Sequence, residues 1–123
     1  MASCGLGRRP VTDDFIVSVH ALERFEERFP DLWTNDDDAG LFMYREVMDA
    51  TDAGRVSTVA PLELANYDLA RWGPGKARIA WEPTKTRGYV LVETEDGLMI
   101  ATVLVGLTTE EARSRLYVTD KNR

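Results

Sequence analysis

The chain has 123 residues and carries 15 Lys and Arg against 21 Asp and Glu, for a formal net charge of −6. That length suits one domain with one core, and that charge excludes a protein that coats nucleic acid by bulk electrostatics. The single cysteine, Cys4, excludes an intramolecular disulfide and a thiolate zinc cluster. The longest apolar run, 98–105, is interrupted by Thr102 and is about half of the ~20 residues a membrane helix needs. The expectation is a cytoplasmic protein with no membrane partner, no cofactor and no metal site.

Residues 1–14, with Pro10 and Asp13-Asp14 and little apolar content, read as a flexible tail. A single domain over 15–118 follows, with 119–123 as a second tail. From Ser18 the pattern turns helical. Ser18 is an N-cap candidate, Leu22, Phe25 and Phe29 recur at helical spacing, and Pro30 stops the run. This predicts a first helix over about 18–29. A second is predicted over about 38–53, capped by Asp36 or Asp37, striped by Leu41, Tyr44, Val47 and Met48, and ended by Gly54. Residues 55–60 are β-prone, and 61–72 read as a third helix or an irregular connection.

The second half changes character. Gly73-Pro74-Gly75 is a turn, and residues 77–82, 88–93 and 98–105 are rich in strand formers. Asp96-Gly97 predicts a two-residue hairpin loop that sets Val92 opposite Ala101 and Val90 opposite Val103. In that register these four form the face that packs on the helices, and Thr102 lies on the other face with Tyr89 and Leu91. A short last helix is expected over 109–115, after Thr108-Thr109. The fold expectation is an α+β domain, with two to three N-terminal helices packed on a C-terminal antiparallel sheet of three to four strands.

Charge is unevenly placed. Residues 1–70 hold 6 basic and 14 acidic groups, net −8, and residues 71–123 hold 9 basic and 7 acidic groups, net +2. The second half contains the cluster Arg71, Lys76, Arg78, Lys85 and Arg87. Any polyanion site must therefore be local. Trp33, Trp72, Trp81, Tyr67 and Tyr89 exceed what a small core readily buries and are candidates to stack bases or anchor a partner.

The first helix carries the chemistry. His20, Arg24 and Arg28 follow one another at i, i+4 and i+8, beside Glu27, on a face nearly opposite the Leu22/Phe25/Phe29 stripe. An imidazole exchanges a proton near neutral pH, and a guanidinium holds anionic charge. That combination suits acid–base work beside a phosphate. The segment His20-Ala21-Leu22-Glu23-Arg24-Phe25-Glu26-Glu27-Arg28 fits His-Ala-x-x-Arg-x-x-Glu-Arg. It resembles the helix-one signature of small bacterial and phage proteins related to the barnase–EndoU–colicin–RelE ribonuclease-toxin superfold. Ile100-Ala101-Thr102-Val103 resembles that group's late Thr-Val strand.

The resemblance implies a metal-independent endoribonuclease of toxin or mobile-element type, with RNA as substrate and a protein antitoxin as partner. His20 would be the acid–base group and Arg24 a phosphate contact. Arg28 or Glu27 would orient the others, and Thr102 would face the cleft. Arg78, Lys85 and Tyr89 are the candidate substrate contacts. The competing expectation is a non-catalytic phage or mobile-element accessory protein that binds a host protein through an acidic, aromatic surface.

Overall fold

A computed structural model describes residues 8–12, 14–107 and 110–111. The strands are β1 (Arg8–Thr12), β2 (Phe15–Ser18), β3 (Val56–Ser57), β4 (Ala77–Trp81), β5 (Arg87–Thr94) and β6 (Gly97–Val105). The helices are α1 (Val19–Arg28) and α2 (Asp36–Asp52). All six strands join one sheet in the order β1-β2-β6-β5-β4-β3. β2 runs parallel to β6 and every other pairing is antiparallel.

This corrects the expected architecture. The described residues hold two α-helices and a six-stranded mixed sheet, not two to three helices on an antiparallel sheet of three to four strands. Two strands precede the helices, and β1 lies inside the segment expected to be a tail. The reason is burial on both sides of β2. Phe15 and Val17 enter the core under the helices, while Ile16 enters the core on the opposite face. A strand buried on both faces shows a short continuous apolar run rather than an alternation. The stretch 61–72 is not a helix but two 3-10 turns, Leu62–Leu64 and Leu69–Trp72. The expected helix over 109–115 lies largely outside the described residues.

Both helices start on side-chain caps. Ser18 Oγ accepts the Ala21 N–H at 2.9 Å, and Asn35 Oδ1 accepts the Asp38 N–H at 2.9 Å. Asn35, not Asp36 or Asp37, therefore caps α2, and three aspartates fill its first turn, where negative charge complements the helix dipole. α1 buries Ala21, Leu22 and Phe25. α2 buries Ala39, Gly40, Met43, Val47 and Ala50, a stripe of mostly small residues that brings the helix close to the sheet, while Leu41 and Met48 stay exposed.

The β5–β6 hairpin turns one residue earlier than expected. Thr94 faces Gly97 across a Glu95-Asp96 loop, so Val92 pairs with Met99 and Leu91 with Ile100. Gly97 is needed for another purpose: at φ +130°, a Cβ there would lie 2.5 Å from the Asp14 carbonyl oxygen. The glycine admits the chain entering β2, and Leu98 N–H then donates to Asp14 O at 2.9 Å. A bulge follows. Val90 pairs with Thr102 and Leu91 with Ile100, leaving Ala101 as the extra residue of β6. The helix face accordingly carries Tyr89, Leu91, Ile100 and Val103, and the opposite face carries Val90, Val92, Met99, Ala101 and Leu104.

That opposite face is covered by residues 58–76, a strap between β3 and β4. Leu64 is fully buried against Ile79, Val90 and Leu104, with Ala60, Tyr67 and Leu69 packed around it. Gly88 makes room for it: a Cβ there would lie 3.0 Å from Leu64 Cδ1 and 3.2 Å from Ile79 Cδ1. None of the helices described is long and apolar enough to cross a membrane.

Candidate functional site

A cleft of about 390 Å³ opens where the strap, the start of α1 and the middle of β6 meet. It is lined by Ser18, His20, Tyr67, Arg71, Trp72, Met99, Ala101 and Thr102. Each wall has a local cause. Ser18 ends β2 and caps α1, and its hydroxyl also donates to Ala101 O at 2.9 Å. This fixes the first turn of α1, and with it His20, against β6. The bulge at Ala101 sets Ala101 and Thr102 on the same face, so the buried Thr102 reaches the cleft. On the strap, Asp68 Oδ1 accepts the Ala70 N–H at 3.1 Å and starts the 3-10 turn that carries Arg71 and Trp72. Gly73, at φ +104°, ends that turn and returns the chain toward β4.

The strap residues hold one another. Trp72 Nε1 donates to Tyr67 Oη at 2.9 Å, and the Arg71 guanidinium carbon lies 5.5 Å from the Tyr67 ring centroid. The cleft thus presents an imidazole, a guanidinium, three hydroxyls and two aromatic rings over a floor of Met99 and Ala101.

The structure unites some of the sequence candidates and separates others. His20 and Thr102 line one cleft. Arg24 is ion-paired with Glu27, and its Nε is buried without a hydrogen-bond partner. Arg28 Nη1 donates to Val103 O at 2.7 Å. Arg28 and Ser18 together tie α1 along the stretch of β6 that extends beyond its pairing with β2. Arg24, Glu27 and Arg28 are not among the cleft-lining residues.

The three substrate-contact candidates also lie elsewhere. Arg78 is exposed on β4, in phase with Ala80 of the helix-side core and so on the face away from the cleft. Lys85 sits in the β4–β5 turn at φ +62°, with its Nζ 3.8 Å from Glu63 Oε1. Tyr89 is fully buried under the helices, with its hydroxyl donating to Glu46. Burial pushes the Tyr89 phenol far above its ordinary pKa, and the Glu46 carboxylate adds to that rise. Arg71, Tyr67 and Trp72 were visible only as members of a basic cluster and an aromatic surplus. No periodicity placed them beside His20, because 3-10 turns carry none.

Two carboxylates are held outside the cleft. Glu46 receives Arg87 Nε and Nη2, each at 2.8 Å, and the Arg87 guanidinium lies 5.5 Å from both the Phe29 and Phe42 rings. The hydrogen bond to Glu46 holds Arg87 more firmly protonated than a free guanidinium. Burial pushes the Glu82 carboxyl up, but the Thr84 hydroxyl and the N–H groups of Thr84 and Thr86 outweigh it and leave Glu82 below its ordinary value. Among the described residues, no three His, Cys, Asp or Glu side chains gather as a metal-ligating group.

Fold and cleft together define a small mixed-sheet α+β domain with an imidazole–guanidinium–aromatic site. Comparison with known proteins finds no matching family model, no matching curated protein and no matching solved structure.

Proposed function

We propose that the protein is a metal-independent endoribonuclease of toxin or mobile-element type and that it acts at the His20 cleft. The observation that supports this reading is the meeting of His20, Arg71 and Thr102 with Tyr67 and Trp72 in one cleft, built from three separate parts of the chain. RNA offers a nucleophile of its own, the 2′-hydroxyl. His20 takes the proton from that hydroxyl, and the freed oxygen attacks the adjacent phosphorus. The bond to the 5′-oxygen breaks, that oxygen takes a proton from water, and His20 returns its proton to the hydroxide left behind. The products are a 2′,3′-cyclic phosphate and a 5′-hydroxyl end. Arg71 supplies fixed positive charge to the crowded phosphorane, and Thr102 offers a hydroxyl donor to a phosphate oxygen.

The negative charge of the chain is compatible with such a site because the cleft draws its cation from residues 71–123, the half with net +2. The test is cleavage of a single-stranded RNA oligonucleotide in the presence of chelator, with products mapped by end chemistry. His20→Ala is expected to slow cleavage by about 100- to 10,000-fold while leaving the circular dichroism spectrum unchanged. Intact RNA at high protein concentration, or an unchanged rate in His20→Ala, would overturn the proposal.

A further inference from the structure

We propose that Trp72 is a stacking platform for one unpaired base, so that the cleft accepts single-stranded nucleic acid and rejects duplex. This rests on the ribonuclease reading for its ligand class, and it stands on different residues.

Trp72 is the last residue of the second 3-10 turn and keeps 40% of its surface exposed while lining the cleft. A large aromatic left this open departs from its usual burial. Its one polar group is already used, because Nε1 donates to Tyr67 Oη at 2.9 Å. That bond also fixes the indole against the strap. What Trp72 offers a ligand is therefore preorganised ring surface, not a hydrogen bond. The neighbouring Arg71 is exposed, and no carboxylate among the described residues forms a salt bridge with it. It provides a cation for the phosphate attached to a stacked base.

Size and floor chemistry agree. The cleft is about 390 Å³, near the lower end of the roughly 300–1,000 Å³ typical of small-ligand sites, and this suits one nucleotide. Met99 and Ala101 give it an apolar floor for a base, while His20 and Thr102 line it as well, within the same single-nucleotide volume. In a duplex each base is already stacked on its neighbours and paired. It reaches a protein ring only by being extruded, whereas a single strand presents its bases at little cost.

The experiment uses a 2′-O-methyl RNA decamer, which lacks the nucleophile and so cannot be cleaved. It is tested free and annealed to its complement. Binding is read by anisotropy of a labelled strand and by quenching of tryptophan emission. The free strand is expected to quench the wild-type protein and to bind about 5- to 100-fold more weakly to Trp72→Ala. Trp72→Phe should recover part of that loss. The duplex is expected to bind at least about tenfold more weakly than the free strand, without regard to residue 72.

Equal affinity in Trp72→Ala, equal affinity for duplex, or no binding of the free strand to wild type would each overturn the platform. The two proposals separate cleanly. RNA cleavage that depends on His20, with binding indifferent to Trp72, removes the platform and keeps the nuclease. Single-strand binding that depends on Trp72, without cleavage of any RNA, keeps the platform and removes the nuclease.

Discussion

The two faces of the one sheet are covered by different means. Under α1 and α2, Phe25, Met43, Val47 and Tyr89 are fully buried, and Arg87, a charged group that reaches inward, is held by both Glu46 oxygens and lies near two phenylalanine rings. Under the strap, Leu64 is the single fully buried anchor contributed by the covering segment, and Tyr67, Leu69 and Trp72 remain partly open. Long helices close a surface because each turn adds another buried row. Two 3-10 turns cannot do that, since such turns are short and their side chains eclipse every third residue. The cleft is the part of the sheet that the strap leaves uncovered. Most of the fully buried side chains lie on one face and the accessible chemistry on the other.

That division can be broken from either side. The largest effect is expected from the strap anchor. Leu64→Ala should cost about 3–4 kcal/mol in urea denaturation, since it removes a fully buried side chain and leaves a cavity, and it should also weaken single-strand binding. A stability loss with binding unchanged would show that the strap does not shape the cleft. Next comes the helix face. Glu46→Ala should cost about 3 kcal/mol, near the low end for breaking a buried pair, because the Arg87 and Glu46 side chains keep 16% and 20% exposure. Here single-strand binding at the cleft is expected to stay at the wild-type value in the folded protein. A parallel loss of binding would mean that the two faces are coupled.

The smallest effect tests the turn joining β4 to β5. The Glu82 carboxyl lies below its ordinary value in the folded chain. Its contribution to stability is therefore complete above the ordinary carboxylate range and is lost as the pH falls through the lowered folded value. Glu82→Gln should cost about 1 kcal/mol at neutral pH and should flatten the acid limb of the stability–pH curve. An identical acid limb in the variant would contradict that assignment.

How much of this was legible in the sequence depends on what each element needed. α1 and α2 fall within two residues of the expected bounds; for α1 the stripe, the Ser18 cap and the Pro30 stop all agree, whereas α2 keeps its bounds although Asn35 is its cap and Leu41 and Met48 of the expected stripe stay exposed. The positions of β4, β5 and β6 were legible from their branched and aromatic residues. β1 and β2 were not, because Phe15-Ile16-Val17 is too short and too uniformly apolar to show a period. The hairpin register differs from the expected one because Gly97, which reads as a turn glycine, serves to let the Asp14 backbone pass. At the site, His20 and Thr102 were both nominated and do line one cleft. Arg24, Glu27 and Arg28 shared a helix face with His20 in the sequence, but that face runs along the flank of β6, and the guanidiniums there pair with Glu27 and Val103 O. Arg71 and Trp72 could not be placed, because their position follows from where the strap lies on the sheet.

The extra residue at Ala101 has a consequence for how much of β6 the cleft can use. Before it, odd-numbered residues of β6 face the strap, and after it even-numbered residues do, as Met99 and Leu104 show. Removing Ala101 would restore a simple alternation and pass its strap-facing place to Thr102, so the cleft would keep the hydroxyl and lose the residue beside it. The bulge thus puts two consecutive side chains on the cleft where a regular strand would put one.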